Sequence, residues 1–456
     1  MEKELLVSRL TSLIDAKDYR ALKKLLNQVF PSDLALAFDE LREDQIFLCF
    51  RLLDKDNAAD TFVELDSDLQ EAVIKSMSDK ELKSVVDELF VDDMADIIGE
   101  MPANVVKRIL KQTDSDTRET VNHILQFNEN SAGAIMTTEF VSLKKGMTVK
   151  EAFDKVRKTG IDKETIYTCY VTDTTRKLVG VITAKRIMTA SKDALIGELM
   201  EENVISVETS DDKEDVAQLF SKYGFLALPV VDKEKRLVGI VTVDDAIDVL
   251  EEEAEEDFSL MAGVLPAEKG YLDENIVTHW KNRIIWLLIL MISGIISGYV
   301  ITSYEQLLLA IPALVAFVPR LMGTNGNEGS QSSTLIIRAL STNEISTSDF
   351  WKVLLKEISV GLLIGTTLAV ANIPVLFIQY GSVNSTEILH LCLVYGITFI
   401  ITSVIASALG AIMPMAAEKM KLDPALIAAP LITTILDVCS ILICFEIAKL
   451  LFAVLL

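Results

Sequence analysis

The chain has 456 residues, of which half are hydrophobic and about a quarter are charged, and its formal net charge is −24. All but one of the excess negative charges lie in residues 1–279, which disfavours nucleic acid and anionic lipid as partners. The acids favour cations or basic partners if they cluster, and otherwise serve solubility alone. Five cysteines without a CxxC pair and three histidines without helical pairing disfavour a disulfide framework, a zinc site and a histidine-based transition-metal centre.

Residues 1–130 are predicted to form an acidic helical domain. FDEL, FVEL and VDEL begin at residues 38, 62 and 86, and this period of 24 residues with helical apolar spacing predicts stacked helix pairs in a small solenoid. The acids Asp92, Asp93 and Asp96 are expected on its solvated face. The charged start, MEKELLVSRL, lacks the apolar region of a signal peptide, so we expect this half in the cytoplasm.

A longer repeat follows in two copies, assigned to residues 131–193 and 194–245. GAIMTTEFVSL resembles GELMEENVISV, and LVGVITAKRIM resembles LVGIVTVDDAI. Each copy predicts strand, helix, strand, strand and helix, with a turn before the LVG segment. The pattern resembles a tandem pair of CBS domains, which commonly bind adenine nucleotides through an acid after the last strand. Asp245 stands there in the second copy, whereas the first copy has Arg186.

A connecting segment, residues 246–278, precedes the membrane region and begins in a predicted amphipathic helix over residues 244–264. Ile247, Leu250, Ala254 and Phe258 recur at helical spacing and would form its apolar face. The remaining face carries acids that repel one another unless cations compensate. These acids are Asp245, Asp248, Glu252, Glu255 and Glu256. A solvated linker is the simpler alternative, and the position directly before the membrane region favours a role in gating.

Residues 279–456 are predicted to cross the membrane five times. The predicted spans are residues 284–304, 306–340, 358–386, 388–417 and 424–453. The lysines and arginines between them fall on the side of the N-terminal half, which predicts that half inside and the C-terminus outside. Asp437 is a lone acid within the last span, where burial costs at least about 2.5–3.5 kcal/mol. We expect it in a water-filled cavity, with an ion pair to Arg320 or Lys449 as the alternative.

The second span contains LMGTNGNEGSQSSTLIIRAL, residues 321–340. No Lys-Ser/Thr follows its glycines, which argues against a phosphate loop. We predict instead a break in the spanning helix that forms pore wall opposite Asp437, with Glu328 on the cytoplasmic side of a wet vestibule. Pro430 would free a backbone carbonyl in the same helix as Asp437. The predicted wall residues are Gly326, Asn327, Gly329, Ser330, Gln331 and Pro430.

The motifs GNEGSQSSTLIIRAL, VDDAIDVLEEEAEEDF and DPALIAAPLITTILDV carry a resemblance of the whole chain to MgtE-type magnesium channels. This resemblance implies a multi-domain membrane protein with an all-α superhelical N-domain, α/β tandem CBS domains and an α-helical membrane domain of five spans. It also implies a homodimer whose Mg²⁺ path lies on the two-fold axis between spans two and five. In that scheme Asp437 matches the pore carboxylate, and Asp423 matches a metal-contacting acid near the cytoplasmic mouth.

The resemblance further implies regulatory Mg²⁺ between the N-domain, the CBS pair and the connecting helix, where the transported ion would close its own path. The matching positions are Asp60, Asp92, Asp96, Asp212, Glu214, Asp245, Asp248, Glu253, Glu256 and Asp257. ATP at the CBS pair is a second implied ligand. Besides Arg186, the chain departs from the family pattern at Ser330, where Asn is usual, and at Gly224, where an acid is frequent.

Two other functions stay open at this point. The chain could carry another divalent cation, such as Co²⁺, Ni²⁺, Mn²⁺ or Ca²⁺, although ligands that offer only oxygen favour hard ions. It could also be a membrane-anchored nucleotide sensor, but an anchor requires neither Asp437 nor a polar stretch in span two. An enzyme is disfavoured because the sequence shows no nucleophile–base pair, Gly-Lys-Ser/Thr loop or histidine cluster.

Overall fold

The computed structural model describes residues 3–267, 271–272, 274–380, 385–427 and 429–452. The chain divides into two compact units, Met1–Leu250 and Glu251–Leu456. Short helices open the first unit: α1 (Lys3–Asp15), α2 (Tyr19–Leu26), α3 (Pro31–Phe38), α4 (Glu43–Phe50), α5 (Lys55–Val63), α6 (Ser67–Ser76), α7 (Asp79–Val86), α8 (Val91–Glu100), α9 (Ala103–Gln112) and α10 (Ser115–Ile124).

These helices stack in the predicted solenoid, which is confirmed. Alternate helices pack on one another, so that α1 contacts α3, α3 contacts α5, α5 contacts α7 and α7 contacts α9. The 24-residue repeat falls at the ends of α3, α5 and α7, where it places Phe38, Phe62 and Val86 in the core. Phe50 on α4 packs between the two phenylalanines, tilted against Phe38 with ring centroids 5.6 Å apart and edge-to-face with Phe62 at 6.5 Å. The repeat therefore marks the layers of the solenoid.

Two three-stranded sheets follow, and both copies show the predicted strand–helix–strand–strand–helix order. The first copy has β1 (Phe140–Lys144), α11 (Val149–Thr159), β2 (Thr165–Thr172), β3 (Leu178–Thr183) and α12 (Ala184–Thr189). The second has α13 (Ile196–Leu199), β4 (Val207–Glu208), α14 (Lys213–Tyr223), β5 (Ala227–Val231), β6 (Leu237–Thr242) and α15 (Val243–Met261). In each sheet the first strand is parallel to the second, and the third is antiparallel to it. Tyr170 from the first sheet packs with Leu237 and Ile240 from the second, which joins the copies.

The connecting helix, α15, exists as predicted, and Leu250 of its predicted apolar face packs against the core of the second CBS copy, but the rest of that face is wrong. Ile247 is 50% exposed and Phe258 is 74% exposed. Ala246 and Val249 are buried instead. They are three residues apart and therefore lie on one face of the helix, and this face packs against the core of the second CBS copy. The helix ends at Met261.

The second unit is a bundle of long helices. Its helices are α16 (Ile276–Ser303), α17 (Glu305–Ala310), α18 (Ala313–Ser341), α19 (Phe350–Tyr380), α20 (Ser385–Lys419) and α21 (Ala429–Phe452). Among the described residues, four segments are long and apolar enough to cross a membrane, and they correspond to α16, α19, α20 and α21. The remaining predicted span corresponds to α17 and α18. With 29 residues, α18 is long enough to cross a membrane, but its polar stretch lowers its mean hydropathy.

The predicted break in the glycine-rich stretch is wrong, because α18 runs without interruption from Ala313 to Ser341. Glycine lowers helix propensity by about 1 kcal/mol relative to alanine, which tertiary packing readily overrides. Here α18 packs between α20 and α21, while α19 packs along α20. Near the start of α18, Phe317 stacks on Tyr395 with ring centroids 3.7 Å apart, and the Tyr395 hydroxyl donates to the Ala313 carbonyl at 2.7 Å.

Candidate functional site in the membrane and acidic cluster in the first unit

The contact between α18 and α21 depends on the absence of side chains at two glycines. A Cβ added to Gly326 would lie 2.8 Å from the Thr433 Cγ2 atom. A Cβ added to Gly329 would overlap with the Leu436 side chain. Small residues allow membrane helices to approach this closely. The glycines of the motif therefore set the distance between the helix that carries the polar stretch and the helix that carries Asp437.

Polar side chains line the same contact. The Asn325 amide donates to the Ser440 hydroxyl at 2.9 Å, and the hydroxyls of Ser330 and Thr433 are 3.5 Å apart. Asn325 is fully buried, and its Oδ1 atom has no hydrogen-bond partner among the described residues. Asn325, Thr433 and Ser440 were not predicted from the sequence as site residues. The i−4 and i+3 spacing of Thr433 and Ser440 from Asp437 was the signal that could have found them.

Asp437 lies on this face of α21, one turn from Thr433 and from Ser440. Its side chain is half-buried, and its Oδ1 atom is buried without a hydrogen-bond partner among the described residues. The alternative of an ion pair to Arg320 or Lys449 is not found among those residues. Arg320 instead donates to two side-chain amides of α19. The structure thus places an uncompensated carboxylate next to the polar part of α18.

A second polar face of α18 points away from α21 and is exposed in the single chain. Gly323, Asn327, Gln331 and Thr334 follow one another at four-, four- and three-residue spacing, and all are exposed. The Asn327 amide donates to the Gly323 carbonyl at 2.7 Å. Of the predicted wall residues, Gly326, Gly329 and Ser330 therefore face α21, whereas Asn327 and Gln331 lie on the open face.

The prediction that Pro430 frees a backbone carbonyl within its helix is wrong. Pro430 stands in the first turn of α21, so the residue four positions earlier, Leu426, lies outside the helix. Proline is well tolerated in a first turn, where its missing N–H leaves no intrahelical bond unmade. Pro430 packs instead against Gly263, where an added Cβ would lie 2.9 Å from the Pro430 Cγ atom. Gly263 has a φ of +70°, which also favours glycine at that position.

Another group of acids lies where the end of α15 packs within the second unit. Leu260 packs with Ile337 of α18 and with Ala425. The Asp423 carboxylate accepts a hydrogen bond from the Ala425 N–H at 2.7 Å. Burial, together with the smaller effect of the Asp423 and Glu256 carboxylates, raises the pKa of Asp257 to about 6. The structure thus brings together Asp257, Glu256 and Asp423 of the predicted metal set.

The first unit contains a larger acidic cluster, which we call the seven-carboxylate cluster. Its members are Asp60 on α5, Asp92 and Asp93 on α8, Glu139 before β1, Glu164 before β2, and Asp244 and Asp245 at the start of α15. The pKa of Asp93 is raised to about 7 and that of Glu164 to about 8. Burial is the larger cause in both cases, and repulsion from neighbouring carboxylates is the smaller one. Burial likewise raises the pKa of Asp245 to about 6. No described lysine or arginine forms an ion pair with a member.

Asp92 is the most buried member. It is 6% exposed, its Oδ1 atom has no hydrogen-bond partner among the described residues, and burial raises its pKa well above the usual value. The expected solvated position is therefore wrong for Asp92, whereas Asp96 one turn later is exposed as expected. Four members were not predicted from the sequence as metal ligands, because their convergence depends on the packing of distant segments. They are Asp93, Glu139, Glu164 and Asp244.

The remaining predicted regulatory residues have other surroundings. Asp212 caps α14 by accepting from the Glu214 N–H at 2.9 Å, and the Glu214 carboxylate accepts from Gln218 at 3.1 Å. Asp248 lies one turn after Asp245 and contributes to the raised pKa of that residue. Glu253 lies on the later part of α15. Gly224 ends α14 with a φ of +67°, a conformation in which an acidic residue would be strained.

No three His, Cys, Asp or Glu side chains converge as a ready-made metal site in the part of the chain that the structure describes. Mg²⁺ usually keeps several of its waters and contacts only one or two carboxylates directly. Both acidic groups and Asp437 therefore offer oxygen chemistry suited to a hydrated hard dication.

The two CBS copies differ after their last strands. The Asp245 carboxylate accepts from the Thr242 N–H at 3.3 Å and from the Thr242 hydroxyl. In the first copy the Arg186 N–H donates to the Thr183 hydroxyl at 3.3 Å, so Arg186 occupies the corresponding turn without supplying a carboxylate.

The sequence matches family models along most of its length. Residues 29–130 match the MgtE intracellular N domain, residues 132–193 and 196–252 match the CBS domain, and residues 318–447 match a divalent cation transporter family, MgtE. The chain is 37% identical to the magnesium transporter MgtE of Thermus thermophilus over 455 residues, which is 99% of each chain. This chain belongs to the MgtE family.

Other relatives agree with this assignment. The magnesium transporter MgtE of Bacillus subtilis is 30% identical over 443 residues, covering 97% of this chain and 96% of the relative. The cytosolic domain of the Mg²⁺ channel MgtE in complex with ATP is 36% identical, with a TM-score of 0.51 over 53% of this chain and 99% of that chain. The soluble part of a magnesium transporter is 31% identical, with a TM-score of 0.52 over 56% of this chain and 100% of that chain. The resemblance and the predicted architecture are confirmed, and MgtE is a family of transporters rather than enzymes.

Proposed function

We propose that this MgtE-family chain moves Mg²⁺ across the cell membrane into the cytoplasm, down the electrochemical gradient of the ion. The observation that carries the proposal is the Asp437 carboxylate, which is half-buried in a membrane helix without a cationic partner among the described residues. Acids at such depth face a bundle interior or a water-filled cavity and mark ion pathways. The lysines and arginines between the spans support a cytoplasmic first unit and an external C-terminus.

The ion path lies on the two-fold axis of a homodimer. The exposed polar face of α18, which includes Asn327 and Gln331, is unsuited to lipid, and a second copy of the chain would cover it. Two copies of Asp437 would supply the two negative charges that compensate one hydrated dication. Gly326, Gly329, Ser330 and Pro430 complete the wall, and Asp423 lies at the cytoplasmic mouth.

Cytoplasmic Mg²⁺ closes this path. The seven-carboxylate cluster gathers acids from α5, α8, the first CBS copy and the start of α15, and a bound dication would reduce their repulsion. A ligand shifts such an equilibrium only through a difference in affinity between two states. The closed state is therefore the state in which these acids lie close enough to share a cation. The proposed regulatory residues are Asp60, Asp92, Asp96, Asp212, Glu214, Asp245, Asp248, Glu253, Glu256 and Asp257.

ATP is the second ligand that we propose for the CBS pair. The support is the solved relative whose cytosolic domain is in complex with ATP. Asp245 would bind the ribose, and Arg186 removes the equivalent carboxylate from the first copy. Calorimetric titration of the full chain with ATP tests this site. An Asp245→Ala variant that binds ATP as tightly as the original chain would contradict the assignment of Asp245.

Ion flux into liposomes tests the central part of the proposal. The purified chain should carry Mg²⁺, and Asp437→Asn should reduce the flux at least tenfold without changing the amount of folded protein. Glu305→Gln, which neutralises an exposed carboxylate of the same unit, is the matched control and should keep normal flux. Addition of Co²⁺, Mn²⁺ or Ca²⁺ as competitors tests the alternative ions. Normal flux through Asp437→Asn would overturn the assignment of the pore.

A further inference from the structure

A second buried carboxylate lies in the bundle, on the side of α18 that contacts α20. Glu328 is 6% exposed. The Ser407 hydroxyl of α20 donates to its Oε1 atom at 3.1 Å, whereas its Oε2 atom has no hydrogen-bond partner among the described residues. Asp437, by contrast, lies on α21. The position in a wet vestibule that was expected for Glu328 is therefore wrong, and Glu328 is a separate buried acid that the proposed pore does not use.

Glu328 belongs to a network that reaches a second carboxylate, Glu357 on α19. The Ser332 hydroxyl lies 2.6 Å from the Glu357 Oε2 atom and 3.0 Å from the Ser407 carbonyl oxygen. Ser332 and Ser407 thus connect the two acids across three helices. Glu357 is partly exposed, which leaves the network accessible from outside the bundle.

The network is incomplete as a purely structural set of hydrogen bonds. Ser403 is fully buried, and its hydroxyl lies beside the Glu328 carboxylate, whose Oε2 atom remains the buried oxygen without a hydrogen-bond partner among the described residues. Neither Glu328 nor Glu357 forms an ion pair with a described lysine or arginine. Buried polar groups that lack partners indicate a missing ligand, water or ion. Two carboxylates with neighbouring hydroxyls match the charge and the oxygen preference of a hard dication.

We propose that Glu328 and Glu357, together with the hydroxyls of Ser403 and Ser407, form a second intramembrane site for a hard divalent cation such as Mg²⁺. A cation in this site would hold α18 against α19 and α20. The site is independent of regulation by the seven-carboxylate cluster, and it does not require Asp437.

Iron-directed cleavage of the full chain in detergent tests this site. Fe²⁺ replaces Mg²⁺ at oxygen sites, and with peroxide and ascorbate it generates radicals that cut the nearby backbone. We expect cuts near residues 328–332 and 403–407 that excess Mg²⁺ suppresses. Glu328→Gln and Glu357→Gln should each reduce these cuts at least tenfold and leave cuts near residue 437 unchanged. Asp437→Asn should reduce the cuts near residue 437 and leave the cuts near residues 328–332 and 403–407 unchanged.

Mass spectrometry of the fragments separates the outcomes. Absence of the cuts near residue 328 from the unsubstituted chain, or their persistence in both glutamine variants, overturns the proposal. A second measurement identifies the alternative when these cuts are absent. If lowering the pH stabilises the unsubstituted chain more than it stabilises Glu328→Gln, and Mg²⁺ has no such effect, a proton rather than a dication neutralises Glu328. Cuts near residue 328 without any near residue 437 would support this site and contradict the proposed pore.

Discussion

Three glycines of α18 have three different surroundings. An added Cβ meets no atom within 4 Å at Gly323, meets Thr433 at Gly326, and overlaps with Leu436 at Gly329. The sequence shows only their regular spacing, which is compatible with a phosphate loop, a helix break or a helix contact. Because the answer depends on residues more than 100 positions away, one stretch of sequence could not distinguish these possibilities.

Alanine substitutions at these glycines test the packing of α18 against α21. Gly329→Ala should lower the free energy of unfolding by about 1–3 kcal/mol, because overpacking forces neighbouring side chains or backbone to move. Gly323→Ala is the matched control in the same helix, and it should be neutral or stabilising by up to about 1 kcal/mol. Thermal unfolding midpoints in detergent provide the comparison. Equal midpoints for the two variants would contradict the close helix contact.

At the scale of elements, α8 and α15 bring charges together that each helix alone would keep in water. The acids of α15 were visible in the sequence as a repulsive pattern, but the pattern could not show which face packs. Asp92 was expected in solvent because a helix of a solenoid has a polar face. In the structure Asp92 is instead buried among other acids from distant parts of the chain. Burial of this kind is set by tertiary contacts rather than by local sequence.

Substitution of Asp92 tests whether this cluster is a cation site. Without divalent cations and at pH 8.5, Asp92→Asn should stabilise the chain by about 1–3 kcal/mol, because a neutral amide replaces an acid whose ionisation is opposed by burial and by the neighbouring carboxylates. It should also decrease the stabilisation gained from added Mg²⁺. Asp193→Asn, at an exposed position of the first CBS copy, is the matched control for loss of one negative charge. A destabilised Asp92→Asn variant with undiminished Mg²⁺ stabilisation would contradict the cation site.

At the scale of the whole molecule, the order of the domains was predictable from the sequence. The 24-residue period, the duplicated LVG segments and the apolar C-terminal runs each depend on short-range patterns, and the structure contains the corresponding solenoid, sheets and long helices. The residues that complete the candidate sites were less predictable. Asn325, Glu164 and the network of Glu328 with Glu357 depend on contacts between segments that are far apart in sequence.

The acidic cluster also predicts how the stability of the full chain depends on pH. The pKa values of Asp93, Glu164 and Asp245 are raised to about 7, 8 and 6. Carboxyl groups with raised pKa values favour folding while protonated, so their contribution is complete below about pH 4 and is lost as pH rises through 6 to 8.

Thermal unfolding of the full chain between pH 5.5 and 8.5 measures this contribution. With a chelator present, the midpoint should fall as pH rises. Added Mg²⁺ should restore more stability at pH 8.5 than at pH 5.5, because deprotonated carboxylates bind the cation. A midpoint that rises with pH in the chelator, or an effect of Mg²⁺ that is independent of pH, would contradict this account of the cluster.

The most direct test of the account is Mg²⁺ flux into liposomes measured at increasing Mg²⁺ concentration on the side of the first unit. The unsubstituted chain should conduct at low concentration and close as the concentration rises. A variant with alanine at Asp248, Glu253 and Glu256 should conduct equally well at low concentration but remain open at high concentration. Flux through the unsubstituted chain that does not respond to Mg²⁺ on that side, or a variant that closes normally, would contradict the account.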